Sequence, residues 1–402
     1  MLGREVRSGV ITFDGRLTLI DVEYDLLGRV KRKSEPYFDG GGPQYWTENS
    51  FDILGRPTQS VHADGSTDTL SYAGFSTTAT NALGQQKTEK KNAFGELVMV
   101  SDAAAYVGYL YNAVGNLLTT SQGDPAVGSA SVTIQYDPLG RKIQMSDPDM
   151  GSLSYAYNAF GELTVQTNAA GHYQVQSYDL LGRMKQRIDY RVGGVLERTS
   201  LWAYDTNSGT NPDCPLHPSP PALYGAPGAL CHERIMDAGG ATLQSRTYSD
   251  DGFARPITVA TVIGSTGYSE RTTYDEVGRV FQQFDAAGAN RGTEARYTPY
   301  GHLEKVVEAQ DSLHTEKIYS QILSVDARGN VLQSRTGPHT KINTYDPATG
   351  RLLTSKVTLA NFVLMQDLAY TWDVVGNLTQ RKDTSRKPDG TAVASPAGAW
   401  AG

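Results

Sequence analysis

The 402-residue chain is 39% hydrophobic and 20% charged, with 42 glycines and 23 tyrosines, too aromatic for a disordered polymer. Its net charge is −7 with both signs interspersed, and the absence of a basic stripe argues against nucleic acid as a partner. No run of about 18 apolar residues occurs, so no membrane span is indicated.

The N-terminus, "MLGREVRSGVITFDG", lacks the apolar core of a signal peptide. Its residues 2–6 read as the back half of a unit written in full at "YDLLGRV" (24–30). The chain is therefore expected to begin in mid-repeat, as a piece of a longer protein.

That unit is an aromatic residue, then Asp or Asn, two further residues, and Gly. It occurs ten times, including two near-empty copies at Phe38 and Phe284. A unit written many times is a building block. In chain order the clearest copies pair Tyr24 with Asp25 and Gly28, and Phe51 with Asp52 and Gly55. They continue with Tyr111, Asn112 and Gly115, then Tyr136, Asp137 and Gly140, then Tyr157, Asn158 and Gly161. The last three are Tyr178 with Asp179 and Gly182, Tyr274 with Asp275 and Gly278, and Trp372 with Asp373 and Gly376. Looser copies include "TNALG" (80–84), "YSDDG" (248–252), "YTPYG" (297–301) and "YDPATG" (345–350).

Asp or Asn opens a type I turn by capping the N–H groups just ahead. Gly three residues later supplies the positive φ of a three-residue hairpin loop with a bulge. Alternating residues on either side read as strands. The unit is thus strand, tight turn, strand. A lone hairpin is marginal in water, so successive copies must pair side by side.

Between the repeats, 191–245 reads as an irregular insertion holding the chain's two cysteines, Cys214 and Cys231, in a Pro-rich stretch. Export would allow a disulfide closing that loop, and two free thiols are the equal alternative. "C-x2-H…C-H" is not a metal-binding spacing, so no metal site is assigned. Residues 303–324 are compatible with either a helix or two strands. The division is a repeat array at 1–190, the insertion at 191–245, a continued array at 246–383 and a disordered tail at 384–402.

No catalytic constellation emerges. The turn-opening Asp residues are accounted for by turn chemistry. No GxSxG, Walker or dinucleotide fingerprint occurs. The Arg after each Gly (Arg29, Arg56, Arg141, Arg183, Arg279) is expected to be an exposed strand residue facing its turn Asp, worth little energetically. No catalytic residue, cofactor or metal ligand is assigned, and no binding residue can be named.

At "YDLLGRV", "YNAVGNLLT" and "LAYTWDVVGNLTQRKD" (368–383) the sequence resembles the RHS or YD-repeat family, over about residues 13–383. Its members include bacterial RHS proteins, the B and C components of insecticidal Tc toxins, wall-associated repeat proteins and teneurins. The resemblance implies an all-β array of antiparallel hairpins spiralling into part of a hollow shell. It also implies a secreted or cell-surface, non-enzymatic, virulence-associated protein. The chain departs from the family in lacking the core segment where self-cleavage frees a toxin. Its expected partners are an encapsulated toxin polypeptide encoded elsewhere and the remaining shell segments of a larger protein. The alternative is an extracellular module that binds glycans or a neighbouring cell.

Overall fold

A computed structural model describes residues 3–123, 130–205, 214, 228–286, 292–309, 317–359 and 364–385. Those residues form 32 β-strands, no α-helix, and one 3-10 turn at Val192–Gly194. Every paired strand runs antiparallel to its partner. The chain divides into two compact units, Met1–Thr88 with Thr293–Gly402, and Glu89–Gly292.

In the second unit the ladder is unbroken from Leu97–Ser101 to Val280–Phe284, each strand pairing with the next. The first unit holds two stretches of the same ribbon. One runs from Arg7–Ile11 to Ser76–Thr80, the other up to Leu378–Asp383. These stretches meet: the His302 Nε2 lies 2.9 Å from the Ile11 carbonyl, and Arg16 Nη2 donates to the Val325 carbonyl at 3.3 Å.

Core residues are few. Leu19, Val307 and Val325 are buried, and only Val307 is completely so. A single antiparallel layer has little interior, and most strand residues stay half exposed. Strand pairing and the repeat contacts must therefore carry much of the stability.

Two boundaries move from where the sequence suggested them. Strands Val195–Tyr204 and Leu230–Asp237 pair with each other and enter the expected insertion from both sides. Their alternating apolar residues already fit a ladder, so the break narrows to the stretch between them. Of the two readings open for 303–324, the described residues take the strands, Leu303–Glu308 and Ile318–Val325, with Val307 and Val325 buried. Of the expected tail, Thr384 and Ser385 are tied to Asp367, whose carbonyl accepts from the Thr384 N–H at 2.8 Å and whose N–H donates to the Ser385 Oγ at 2.7 Å. Residues 386–402 lie outside the described residues.

Candidate functional site

The chemistry that recurs along the chain is the hairpin turn. At residues 25–28 the Asp25 N–H donates to the Arg29 carbonyl, and the Gly28 N–H to the Asp25 carbonyl, both at 2.9 Å. Asp25 Oδ1 accepts from the Leu27 and Arg29 N–H groups, each at 2.9 Å. The other carboxylate oxygen takes the Arg29 guanidinium at 2.6 Å. Gly28 sits at φ 80°, which an L side chain adopts only under strain. The register shifts at Tyr24, the bulge that such a turn requires. The Arg29 N–H and guanidinium hold the Asp25 carboxyl below the usual carboxylate range, and Arg141 does the same for Asp137.

The same plan recurs at 52–55, 137–140, 179–182 and 275–278 with Asp and Arg. At 92–95 and 158–161, Asn92 and Asn158 stand in place of Asp, and the residue four on is Glu96 or Glu162. The Asn amide then donates to the Glu carboxylate at 2.6 Å. At 373–376 Asp373 accepts from the Asn377 amide at 2.9 Å. These turns thus match the first residue to the fifth as hydrogen-bond acceptor to donor or donor to acceptor; the Asp–Arg form was legible in the sequence, the Asn–Glu and Asp–Asn forms were not singled out.

The Arg residue does more than face its own Asp. Arg141 is only 28% exposed and lies over the ring of Tyr157, one repeat on, at 4.9 Å. It also donates to the Asn158 carbonyl at 3.2 Å. Tyr157 reciprocates: its hydroxyl donates to the Lys142 carbonyl at 2.7 Å. The clasp recurs where Arg29 meets Phe51, Arg56 meets Tyr72, Arg183 meets Tyr204 and Arg255 meets Tyr274, at 4.1–4.5 Å. Tyr111, Tyr136 and Tyr178 donate to the carbonyls of Leu97, Leu117 and Leu163, and Trp372 donates through its indole N–H to Leu352. A cation over a part-buried ring, with shared hydrogen bonds, contributes roughly 1 kcal/mol or more per clasp. The expectation was an Arg facing its own turn Asp; the side chain does so and also reaches the next repeat. Even Arg4 lies over Tyr24 at 5.5 Å, and Tyr24 donates to the Glu5 carbonyl at 2.9 Å.

Two motif copies are placed differently from their spelling. Phe38 lies in a two-residue strand, Tyr37–Phe38, that pairs with Thr18 and Leu19 instead of closing a repeat hairpin. In "YSDDGFAR" the turn spans 251–254, so Asp251 opens it and Ala254, at φ 62°, takes the glycine position. Asp250 thereby fills the aromatic slot. The copy at Phe284 runs into residues outside those described. The looser copy at 297–301 turns as spelled, opening on Thr298, and turns at 12–15 and 62–65 open on Thr12 and His62, which the Asp/Asn pattern did not find.

Cys214 and Cys231 are joined in a disulfide with Cα atoms 5.6 Å apart. Both are buried with Ala203. Among the described residues no group of three or more His, Cys, Asp or Glu is arranged to hold a metal ion.

Antiparallel hairpins, cross-linked by Arg–aromatic clasps, define the fold as a β-hairpin-repeat array. Its solved counterparts are Tc toxin proteins. A crystal structure of TcdB2-TccC3 superposes on 95% of this chain with a TM-score of 0.75 at 17% identity. The Tc holotoxin pore of Photorhabdus luminescens, with a mutated TccC3, covers 92% with a TM-score of 0.74 at 17% identity. TcdB2-TccC3 without its hypervariable C-terminal region also covers 92%, with a TM-score of 0.70 at 16% identity. This chain spans about a fifth of the length of those chains. No protein-family model matches the sequence, and no curated protein matches it.

Proposed function

We propose that this chain is a stretch of structural β-wall from a secreted toxin-type protein, and that the wall encloses or presents a polypeptide encoded outside it. The observation that carries the reading is the superposition of nearly the whole chain on TcdB2-TccC3. The repeat chemistry supports it, because the recurring groups are consumed by wall construction. Turn carboxylates are bound to backbone N–H groups and guanidinium ions, and repeat tyrosines donate to the preceding repeat. Such groups serve cohesion more readily than turnover, so the role is non-catalytic. The same commitment of the tyrosines leaves the glycan-binding alternative with no observation in its favour. Secretion fits the Cys214–Cys231 disulfide, which an oxidising compartment would preserve.

The test is protease protection. The complete protein carrying this chain is purified natively and digested with trypsin under conditions that leave the wall intact. A second polypeptide that survives digestion, and becomes sensitive once the wall is opened by mild denaturant, is the expected result. Digestion of all non-wall segments at the same rate with and without denaturant rules out enclosure.

A further inference from the structure

Where a turn carries Arg in its fifth place, that cation can serve twice: Arg141 pairs with its own Asp137 and lies over Tyr157. At Tyr345 and Asp346 neither half of the arrangement is filled from within the chain. The preceding turn, 326–329, has Asn330 in the fifth place, and its amide donates to Asp326 at 2.9 Å. No Arg or Lys among the described residues lies over the Tyr345 ring. Asp346 caps its turn with one carboxylate oxygen, which accepts from the Ala348 and Thr349 N–H groups at 3.0 and 2.8 Å. Arg351, just past the turn, donates to the carbonyls of Asp373 and Val374 instead.

Tyr345 and Asp346 line a cavity of about 520 Å³ in the first unit. Another part of its lining departs from the repeat. Strands Val30–Ser34 and Trp46–Phe51 form a hairpin, and the Glu35 N–H donates to the Tyr45 carbonyl at 2.9 Å. The loop between them folds Tyr37–Phe38 back onto Leu19 and Thr18, and Tyr37 and Tyr45 join Tyr345 in the lining. Hydroxyls fix two of these rings: Tyr37 donates to Asp21 at 2.9 Å and Tyr345 to the Val331 carbonyl at 3.3 Å. Phe38 already carries Arg16, 3.5 Å from its ring centre. The charge in the lining is lopsided, with Glu35, Asp39, Asp326 and Asp346 against Arg328 alone. Arg328 is committed to Glu35 at 2.7 Å and to the carbonyls of Pro347 and Ala348 at 3.1 and 2.7 Å. Asp39, Asp326 and Asp346 therefore have no ion-pair partner among the described residues, beside three tyrosines.

We propose that this cavity binds an arginine side chain presented by another polypeptide. A planar guanidinium can lie flat on a tyrosine ring and donate to a carboxylate at the same time. The chain itself makes that pairing at Arg141, Arg183 and Arg255. The rim favours an arginine carried on a peptide backbone. Gly41 and Gly42 line it and are exposed, and a Cβ added at Gly42 would meet nothing within 4 Å. A ligand's main chain can approach closely there. The inference does not depend on what the wall encloses.

The test is titration calorimetry of the full chain with the peptide acetyl-Gly-Ser-Arg-Ser-Gly-amide and its citrulline counterpart, in which a neutral ureido group replaces the guanidinium. The arginine peptide should bind at least about tenfold more tightly, because the citrulline form loses both the ion pair and the ring contact. Asp346→Asn should weaken arginine binding about fivefold and keep the turn, since Asn112 and Asn158 open the same turn elsewhere. Tyr345→Phe should bind like wild type, and Tyr345→Leu at least about fivefold more weakly. Asp39→Asn, on the exposed part of the loop, should also weaken binding and supplies the charge test if a variant at 345 or 346 fails to fold. Equal affinity for the two peptides overturns the proposal. So does an arginine affinity unchanged in Asp39→Asn, Asp346→Asn and Tyr345→Leu, which would trace it to the net charge of −7. Binding of agmatine without binding of the peptide also overturns it, by assigning the cavity to a free small molecule.

Discussion

The turns at 179–182 and 251–254 are built to one hydrogen-bond plan from different letters. In both, the opening Asp N–H donates to the carbonyl of the Arg four residues on at 2.9 Å, and the Arg guanidinium returns to the Asp carboxylate at 2.7 Å. In the first, Gly182 takes φ 76° and Tyr178 fills the slot before the Asp, donating to the Leu163 carbonyl at 2.9 Å. In the second, Ala254 takes φ 62° and Asp250 fills the slot. The difference teaches that at 251–254 the Asp–Arg pair keeps the turn in place without the glycine or the aromatic. The defect stays local, because Arg255 still clasps Tyr274 at 4.3 Å.

Emptying the good slot should have the largest effect. Tyr178→Ala removes a half-buried ring and its hydrogen bond, and about 3 kcal/mol of stability should go with them. The loss is read from chemical denaturation of the full chain; a change within about 0.5 kcal/mol would mean the slot is not a packing site.

The poor slot offers the opposite change. Asp250 is 2% exposed, and its Oδ2 has no hydrogen-bond partner among the described residues. Burial, and then the neighbouring Asp251, push its carboxyl above the usual range. An acid whose pKa rises on folding contributes full stability only below its unfolded value, about 4, and loses that contribution as pH rises through the folded value. Asp250→Asn should therefore stabilise the protein by about 1–2 kcal/mol at neutral pH, with the gain shrinking as the solution is acidified. Asp25 and Asp137 have the reverse sign, since their lowered pKa values mean stability lost as pH falls. Denaturation of wild type and Asp250→Asn across pH separates the two; a gap independent of pH would show that Asp250 does not titrate in the fold.

The same pair of turns shows how far letters alone can be read. Wherever Asp, Arg and Gly stand in their usual places, the hairpin and its bulge follow from the spacing, as at 179–182. At 248–255 the glycine misleads. Gly252 suggests a turn at 249–252, yet the chain turns two residues later, because Asp251 and Arg255 have the spacing that closes the carboxylate–guanidinium pair. The clasp between repeats was hidden for another reason. Arg141 and Tyr157 are 16 positions apart, and nothing local says that adjacent strands bring one over the other.

Glycine's own share can be isolated by moving side chains between the two turns. Gly182→Val forces a β-branched residue to φ 76°, with the Glu162 carboxylate 3.2 Å from the new Cβ, and should cost about 1 kcal/mol or more. Lys185→Ala, on the strand beyond the turn, should change almost nothing and serves as the control.

The smallest change is the reciprocal one, Ala254→Gly. It relieves the left-handed strain that Ala254 carries, worth about 1 kcal/mol, but frees the unfolded chain, which gives back much of that gain. The net should be a stabilisation of a few tenths of a kcal/mol, measured most reliably in the Asp250→Asn background, where the adjoining slot no longer holds a buried charge. If Ala254→Gly destabilises instead, the methyl group must be making a contact that outweighs its strain. The turn at 251–254 would then be a variant with its own packing, and the shared plan would extend only to the Asp–Arg pair.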